Sequence, residues 1–382
     1  MSVEKKNVQR VKNSKKSKKS NPSDFILIFC IMSLVCIGVI MVFSASIYTS
    51  SIEYNDQYHL FKKQLIFALI GTVAMIITSK IDYRIYQKYS RVIMGIAVVL
   101  LILVLFVGTK ANGARRWFNI AGVSLQPSEV AKYAVIIFSA ANMTKMKEEI
   151  RTFTKGFLPF VVLMAVICGL IYLQPNLSTA LVMACIIIAM FFIGGGNLAY
   201  IFASGGLLVV AALAAMLLTG WRSNRLTSFL DPEADLAGVG WQTKQSKLAL
   251  GSGGIFGQGL GNGKQKMFYL PEAQNDFIFA HIGEELGLIG TLLILALFLL
   301  LIWRGLRIAL YAPDTFSSLI SFGIIFMVAI QVIINVCVVT QLIPVTGMPL
   351  PFISAGGSSL IFLMAGMGIL LNISKKTPIS RR

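Results

Sequence analysis

The stretch that decides the fold is Phe25-Ile-Leu-Ile-Phe-Cys-Ile-Met-Ser-Leu-Val-Cys-Ile-Gly-Val-Ile-Met-Val-Phe43, which contains no charged side chain. About 20 such residues in a helix cross the ~30 Å hydrocarbon core of a bilayer. The whole chain of 382 residues has the same character: 56% of it is hydrophobic, 13% is charged, and its mean hydropathy is +0.77. These values lie outside the range of soluble globular proteins and indicate an integral membrane protein.

Nine further apolar segments follow this first one along the chain, and together they predict an all-α polytopic membrane protein with about ten transmembrane helices. A Lys-rich, disordered tail is predicted for residues 1–22, a transmembrane domain for residues 23–374, and a second short tail for residues 375–382. One large outer loop, at about 220–276, separates helices 7 and 8. The nine segments are roughly 64–79, 91–108, 128–143, 157–173, 178–194, 199–219, 277–303, 315–341 and 358–373.

Lysine and arginine placement predicts that both termini are cytoplasmic. Basic residues cluster in the loops that this orientation puts inside, as the positive-inside rule requires. The formal net charge of +18 therefore reflects topology and anionic lipid, and nucleic acid is not expected as a partner. The inner clusters are Lys80, Arg84, Lys88 and Arg91; Lys145, Lys147, Arg151 and Lys155; Arg304 and Arg307; and Lys375, Lys376, Arg381 and Arg382.

Cations on the predicted outer side break this pattern. The short loop 109–127 carries Arg115 and Arg116 beside Trp117. Because guanidinium groups bind phosphate in a bidentate manner, this pair indicates an anion-binding site. The large loop also carries cations, among them Lys244, but a long loop is translocated largely regardless of its charge.

Ionisable residues inside the apolar segments are few. Glu129 and Lys132 lie in the fourth segment, and Glu284 and Glu285 lie in the eighth, all near the outer boundary. Such residues are costly in a membrane and indicate function, although Glu129 and Lys132 are spaced to satisfy each other as an ion pair. No charge lies at the midplane, which argues against an ion-coupled transporter.

The stretch 240–285 carries the densest polar signals. Its glycine run, from Gly251 to Gly263, is not a phosphate-binding P-loop, since Gln265 follows Lys264 where Ser or Thr is needed. We interpret the run as a tight turn that lets the backbone approach the membrane surface or a ligand. Asp276 directly precedes an apolar helix, so it is either an N-cap or a carboxylate placed to take a proton from a substrate hydroxyl.

Several motifs in this order resemble the SEDS family of peptidoglycan polymerases (FtsW, RodA and SpoVE). The resemblance covers nearly the whole chain after the basic tail, and the family's helix number agrees with the ten predicted spans. The motifs are Met41-Val-Phe-Ser-Ala-Ser46, Ala114-Arg-Arg-Trp117, Gln126-Pro-Ser-Glu-Val-Ala-Lys132, Gly259-Leu-Gly-Asn-Gly263 through Asp276, Gly283-Glu-Glu-Leu-Gly287, Pro344-Val-Thr-Gly347 and Pro351-Phe-Ile-Ser-Ala-Gly-Gly-Ser-Ser359.

The resemblance implies a glycosyltransferase that polymerises lipid II at the outer face of the cytoplasmic membrane. Asp276 then corresponds to the family's catalytic carboxylate, which deprotonates the acceptor sugar hydroxyl, while Arg115, Arg116 and Lys132 are suited to the pyrophosphate of the leaving group. A divalent cation, Mg²⁺ or Mn²⁺, is left open as a cofactor, with no metal cage in the sequence. The further candidates for substrate binding are Gln126, Ser128, Glu129, Lys244, Gln245 and Glu272.

Within the family, the motifs look closer to the division branch (FtsW) than to the elongation branch (RodA), with the sporulation branch (SpoVE) still open. The division branch works at the septum with other divisome proteins and a class B penicillin-binding protein, a transpeptidase whose nucleophilic Ser-x-x-Lys has no counterpart here. Two other functions remain open, a lipid II flippase and a scaffold for division proteins. The chain departs from the family pattern at Asn176, Gln274, Asn275 and Ala355.

Overall fold

A computed structural model describes residues 24–111, 114–120, 123–217, 225, 228–229, 231, 238–267 and 269–377. The predicted tail at 1–22 and the last five residues lie outside this part of the chain. The first half contains α1 (Phe25–Tyr54), α2 (His59–Lys80), α3 (Tyr83–Lys88), α4 (Ser90–Val107), β1 (Thr109–Ala111), β2 (Ala114–Ile120), β3 (Val123–Leu125), α5 (Pro127–Met146) and α6 (Leu158–Tyr172). The second half contains α7 (Leu177–Ile193), α8 (Leu198–Leu217), α9 (Val239–Ser252), α10 (Ile278–Leu310), α11 (Thr315–Val339) and α12 (Gly357–Ser374).

Each of the ten predicted spans coincides with one of these helices, which confirms the helical, polytopic fold class. Within the described residues, seven helices are long and apolar enough to cross a membrane: α1, α2, α4, α10, α11, α12, and α6 counted together with the turn that precedes it. Two shorter apolar stretches fall in α7 and α8, and α5 carries Glu129, Lys132 and Lys145. The number of membrane crossings and the orientation stay predictions.

The helix ends follow from local chemistry. Asp24 caps α1, because its carboxylate accepts a hydrogen bond from the backbone N–H of Leu27 at 3.1 Å. The helix ends at Asn55, whose φ of 54° is left-handed, a conformation that asparagine tolerates. Asp314 and Ser317 form a reciprocal capping box at the start of α11.

The structure adds two elements that the sequence did not predict. The short loop 109–125 forms a three-stranded antiparallel sheet with the order β1-β2-β3, and the large loop contains helix α9. The sheet holds Arg115 and Arg116 on a central strand. Since neighbouring side chains of a strand point to opposite faces, the two arginines are directed apart.

Two polar contacts join α1 to α10, one near each end. Arg304 pairs with Asp24 at 2.6 Å, and the Ser44 hydroxyl donates to Glu285 at 2.7 Å. We call the end that contains Asp24 the basic end: beyond Arg304 the chain reaches Asp314, which accepts a hydrogen bond from Tyr83, and Lys376 pairs with the neighbouring Asp82. The opposite end, which contains Ser44, is called the cavity end.

Candidate active site

A cavity of ≈ 980 Å³ opens at the cavity end of the bundle. Its wall combines apolar side chains with polar groups from α2, the sheet, α5, the start of α7, the large loop and residues 343–359. Such a mixture is typical of ligand sites, in which a few polar groups fix the orientation of a largely apolar ligand. The polar side chains on the wall include Lys63, Gln64, Arg116, Ser124, Gln126, Glu129, Lys132, Asn176, Arg225, Glu272, Asp276, Gln331, Ser354 and Ser358.

Asp276 lies on this wall, just before α10. The N-cap of α10 is Phe277, and no side chain caps that helix, so Asp276 is not serving as an N-cap. The Asn335 amide of α11 donates hydrogen bonds to the main-chain oxygens of Asp276 and Met348, each at 2.8 Å, and fixes the backbone at this point. Gly347 has a left-handed φ of 73°, and a Cβ there would lie 3.3 Å from the Asp276 Oδ2. The carboxylate is thus held against the 343–351 segment while it remains open to the cavity.

The electrostatic surroundings of Asp276 favour proton transfer near neutral pH. Burial, reinforced by the negative charge of Glu272, raises the pKa of the Asp276 carboxyl to about 6 from its ordinary value of 3.8. The cations Arg225 and Arg116 oppose this rise in the pKa. A general base works best when its pKa lies close to the operating pH, and Asp276 meets that condition.

Two arginines face the same cavity and are held by backbone carbonyls. The Arg116 guanidinium donates to the Gln174 oxygen at 2.9 Å and to the Pro175 oxygen. Arg225 donates to the Val345 oxygen at 3.0 Å. A guanidinium holds its five donors in a fixed fork, so these carbonyls set the orientation of each side chain on the cavity wall.

A third cation, Lys132, lies on the wall within α5. Its ammonium group pairs with Glu129 at 2.9 Å, one turn earlier on the same helix. Lys132 is only 4% exposed, so the carboxylate of Glu129 supplies the charge compensation that burial demands. The pairing expected from the i, i+3 spacing is confirmed.

The structure brings six of the predicted site residues to the cavity and leaves four outside it. The six on the wall are Asp276, Arg116, Lys132, Gln126, Glu129 and Glu272, and the four outside are Arg115, Ser128, Lys244 and Gln245.

Each of the four residues outside the cavity has a structural reason to be there. The Arg115 guanidinium donates to the carbonyls of Leu105 and Phe106 at the end of α4, at 3.2 and 3.1 Å. Ser128 and Gln245 are buried within the protein, and Lys244 is exposed outside the cavity. The alternation of side chains along β2 and the positions of these residues around α5 and α9 decide which side chains reach the cavity. The number and order of charges in the sequence do not predict this.

Gln64 and Arg225 are among the polar wall residues that the sequence reasoning missed. Gln64 lies at the edge of an apolar segment, where a single amide gave no clear signal. Its side chain binds the carbonyl of Ser354 at 3.4 Å and the N–H of Gly356 at 3.3 Å. Arg225 was one of several cations in a long loop, and only folding places it beside Asp276.

At the positions where the chain departs from the family pattern, hydrogen bonds are made by the main chain or by a helix cap. The Ala355 N–H donates to the Gln274 oxygen at 2.9 Å, and the Ser354 hydroxyl donates to the Asn275 oxygen at 2.6 Å. These bonds use main-chain oxygens and do not depend on the side chains at 274 and 275, and the Asn275 side-chain amide donates a separate hydrogen bond to the Glu272 carboxylate. Asn176 caps α7 through the Thr179 N–H at 3.3 Å.

Among the described residues, no group of three or more His, Cys, Asp or Glu side chains is arranged to hold a metal ion. The carboxylates of Glu272 and Asp276 both line the cavity. Mg²⁺ is usually held by one or two carboxylates together with substrate phosphates. The divalent cation therefore stays a prediction.

A family model for FtsW, RodA and SpoVE, described as a cell cycle protein, matches residues 24–379. The chain belongs to this family. It is 42% identical over 353 residues to the probable peptidoglycan glycosyltransferase FtsW of Trichlorobacter lovleyi, covering 92% of this chain and 93% of that protein. It is 44% identical over 362 residues to the stage V sporulation protein E of Bacillus subtilis, covering 94% and 98% of the two chains.

Solved structures of the family share the fold. One chain of a peptidoglycan synthase complex, studied for the coordination of polymerization and crosslinking, superposes with a TM-score of 0.76 at 26% identity over 93% of this chain and 98% of that chain. The rod shape determining protein RodA of Thermus thermophilus superposes with a TM-score of 0.69 at 26% identity over the same shares. The helical fold is thus that of a family of multi-pass membrane proteins.

Proposed function

We propose that the protein is a peptidoglycan glycosyltransferase that polymerises lipid II into glycan strands at the outer face of the cytoplasmic membrane. The observation that carries the proposal is the Asp276 carboxylate, which opens into the cavity with a pKa of about 6 and with Arg116 and Arg225 nearby. A proton acceptor beside fixed cations suits a reaction in which a hydroxyl attacks a sugar and a pyrophosphate leaves. The relatives named as probable peptidoglycan glycosyltransferases support the same reaction.

In the proposed step, the hydroxyl oxygen of the acceptor sugar attacks the anomeric carbon of the donor. Asp276 takes the proton that this hydroxyl loses. The bond from that carbon to the pyrophosphate oxygen breaks, and the pyrophosphate carries the electron pair away on its undecaprenyl chain. Arg116, Arg225 and Lys132 line the same cavity and stabilise the charge that builds on the leaving group. If a divalent cation takes part, Asp276 and Glu272 are the carboxylates to hold it, and it supplies further charge neutralisation.

The size and place of the cavity suit the head group of a lipid-linked sugar. At ≈ 980 Å³ it lies at the upper end of the range for small-molecule sites, which is about 300–1,000 Å³. It opens at one end of a helical membrane bundle, where the head group of a membrane-bound lipid is found. A flippase requires the same binding site, so the reaction product and not affinity for lipid II distinguishes the two functions.

For the cellular role, we propose cell division at the septum, in company with a class B penicillin-binding protein and other divisome proteins. The relatives named FtsW and the similarity to a chain of a peptidoglycan synthase complex support this assignment. The similarity to a sporulation protein keeps a sporulation role as the second candidate.

The direct test uses the purified full-length chain in lipid nanodiscs with lipid II, with and without the transpeptidase partner. We expect glycan polymer on gels from the wild type and roughly 10²–10⁴-fold less from Asp276→Asn. Both faces of a nanodisc are accessible, so no transport is needed for this reaction. Binding of lipid II without any polymer, with the partner present, would contradict the proposal and favour a flippase.

The proposed orientation has a test of its own. Asn262 is exposed in the large loop and Glu148 is exposed at the basic end. We expect a cysteine at Asn262→Cys to react with a membrane-impermeant thiol reagent in intact spheroplasts, and one at Glu148→Cys to react only after lysis. The reverse pattern would invert the topology.

A further inference from the structure

Two polar contacts between α1 and α10 mark the depth of the hydrocarbon core. Asp24 and Ser44 are 20 residues apart on α1, or about 30 Å at 1.5 Å per residue. Their partners on α10 are Arg304 and Glu285. The hydrocarbon core is also ~30 Å thick, so a core that begins at the Asp24–Arg304 pair ends at the Ser44–Glu285 contact on the cavity end. Any residue that lies deeper than Glu285 along α10 is within the hydrocarbon.

Helix α10 is interrupted just inside this boundary. Gly287 has φ 66° and ψ −164°, so the regular helix is broken there. The glycine-rich turn of the large loop fills the interruption, and residues 254–259 run beside residues 284–289 with four backbone hydrogen bonds of 2.9–3.2 Å. The donors and acceptors are Gln258 N–H to Glu284 O, Gly259 N–H to Glu285 O, Leu288 N–H to Gly254 O, and Ile289 N–H to Ile255 O.

This pairing fixes the depth of the turn. Ile289 is four residues beyond Glu285 along α10, past the break at Gly287 and toward the middle of the membrane. Ile255 is hydrogen-bonded to Ile289 and therefore lies at the same level. The tip of the turn, Ile255 and Phe256, is thus below the boundary and not in the aqueous loop region.

Within the part of the chain that the structure describes, the side chains at this tip are largely uncovered. Phe256 is 82% exposed and Ile255 is 59% exposed. The adjacent face of α10 is similarly open, with Leu288 and Ile289 each 53% exposed. That face belongs to a helix long and apolar enough to cross the membrane, so the exposed tip continues a lipid-facing surface.

We propose that residues 253–257 form a re-entrant turn that inserts into the acyl-chain region of the leaflet at the cavity end, with Phe256 and Ile255 as its anchors. The partner of this surface is the lipid bilayer. Irregular backbone is tolerated at such depth only when its polar groups are paired. Here the Gly254 and Ile255 carbonyls are paired with the N–H groups that the break at Gly287 releases.

Glycine makes this pairing sterically feasible. A Cβ at Gly257 would lie 2.2 Å from the main-chain oxygen of Glu285, and a Cβ at Gly287 would lie 2.3 Å from the main-chain nitrogen of Gly257. The turn is also tied to the boundary contact, because the Lys266 ammonium, which follows it in the loop, pairs with Glu285 at 2.9 Å. The large loop that ends in Asp276 is thereby anchored in the leaflet next to the cavity. This inference rests on packing and depth, and it stands whether or not the protein polymerises lipid II.

Site-directed spin labelling of the full-length protein in nanodiscs tests the proposal. The five native cysteines are replaced by alanine, and a nitroxide is attached at Phe256→Cys. Molecular oxygen concentrates in hydrocarbon, whereas a polar nickel chelate stays in water, so the ratio of their collision rates reports depth. Leu292→Cys, on the exposed face of α10, is the lipid control, and Asn262→Cys, exposed in the same loop, is the aqueous control.

We expect the oxygen-to-nickel ratio at 256 to exceed that at 262 and to lie below that at 292, which is deeper along α10 than Ile289. A ratio at 256 equal to that at 262 would place the tip in water and overturn the proposal. Low collision rates with both reagents would show that protein covers the tip, which would also overturn it. Ile255→Cys provides a second label if Phe256→Cys fails to fold, with the same expected outcome.

Discussion

The Asp276→Asn variant distinguishes a catalytic role of this residue from a structural one, because we expect it to raise stability and to lower polymerisation. The folded protein holds the Asp276 proton more tightly than the unfolded chain, with a pKa of about 6 in place of 3.8. Stability therefore falls as the pH rises between about 4 and 6, and the penalty is complete above pH 6. A tenfold change in proton affinity is worth about 1.4 kcal/mol. The buried charge thus costs roughly 3 kcal/mol at most, and less where the cavity admits water.

Asparagine removes this charge and keeps the shape of the side chain. We expect Asp276→Asn to raise the thermal unfolding temperature at pH 7.5, with a difference that vanishes near pH 4, and to lower polymerisation by roughly 10²–10⁴-fold. Unfolding would be followed in nanodiscs, and glycan length would be followed on gels under single-turnover conditions. Glu148→Gln, at an exposed carboxylate of the basic end, is the control and should change neither quantity. Near-normal polymer from Asp276→Asn would refute the mechanism, and a loss of both stability and activity would indicate a structural carboxylate.

Three further predictions follow from other contacts. Glu272→Gln removes the negative charge that raises the Asp276 pKa, so the acid limb of the pH–rate profile should move to lower pH; an unmoved limb would exclude Asp276 as the titrating group. Lys132→Met leaves the half-buried Glu129 without its partner; because Glu129 faces the cavity, the protein should be destabilised by less than the cost of about 3–5 kcal/mol that is typical of a fully buried pair. Adding Glu129→Gln should restore stability but not polymerisation, and restored activity in the double variant would make the pair structural. Gly257→Ala should destabilise the protein far more than Gly261→Ala. Both glycines have φ near +80°, but only at Gly257 would the added Cβ clash with a backbone oxygen. Equal unfolding temperatures for the two variants would show that the close approach to α10 is absent.

Several features of the protein could be read from the sequence because they depend on local periodicity and composition. The charge-free stretch 25–43 and the nine segments like it predict helices whose backbone groups must be satisfied within each segment in lipid. The Glu129–Lys132 pair followed from spacing on one helix, where i and i+3 are neighbours. Asp276 was identifiable because a carboxylate beside an apolar helix has few roles, and the motifs around it resembled one family.

The tertiary structure alone decided which polar residues meet. Arg115 and Arg116 are adjacent in the chain, but strand alternation sends one to the end of α4 and the other to the cavity. Asp276 and Arg225 come close only through the packing of the large loop against residues 343–351, and nothing local encodes that distance.

The glycine run shows the same division between local and long-range information. Its sequence predicted a close approach of backbone, but the partner could not be named from the chain. That partner is the backbone of α10 around the break at Gly287, which hydrogen-bonds to the turn 254–259. Leaving such an N–H or carbonyl unpaired in hydrocarbon would cost several kcal/mol. Sequence thus determined which segments enter the membrane and which residue types carry chemistry, while long-range packing determined the cavity, the pKa of Asp276 and the depth of the turn.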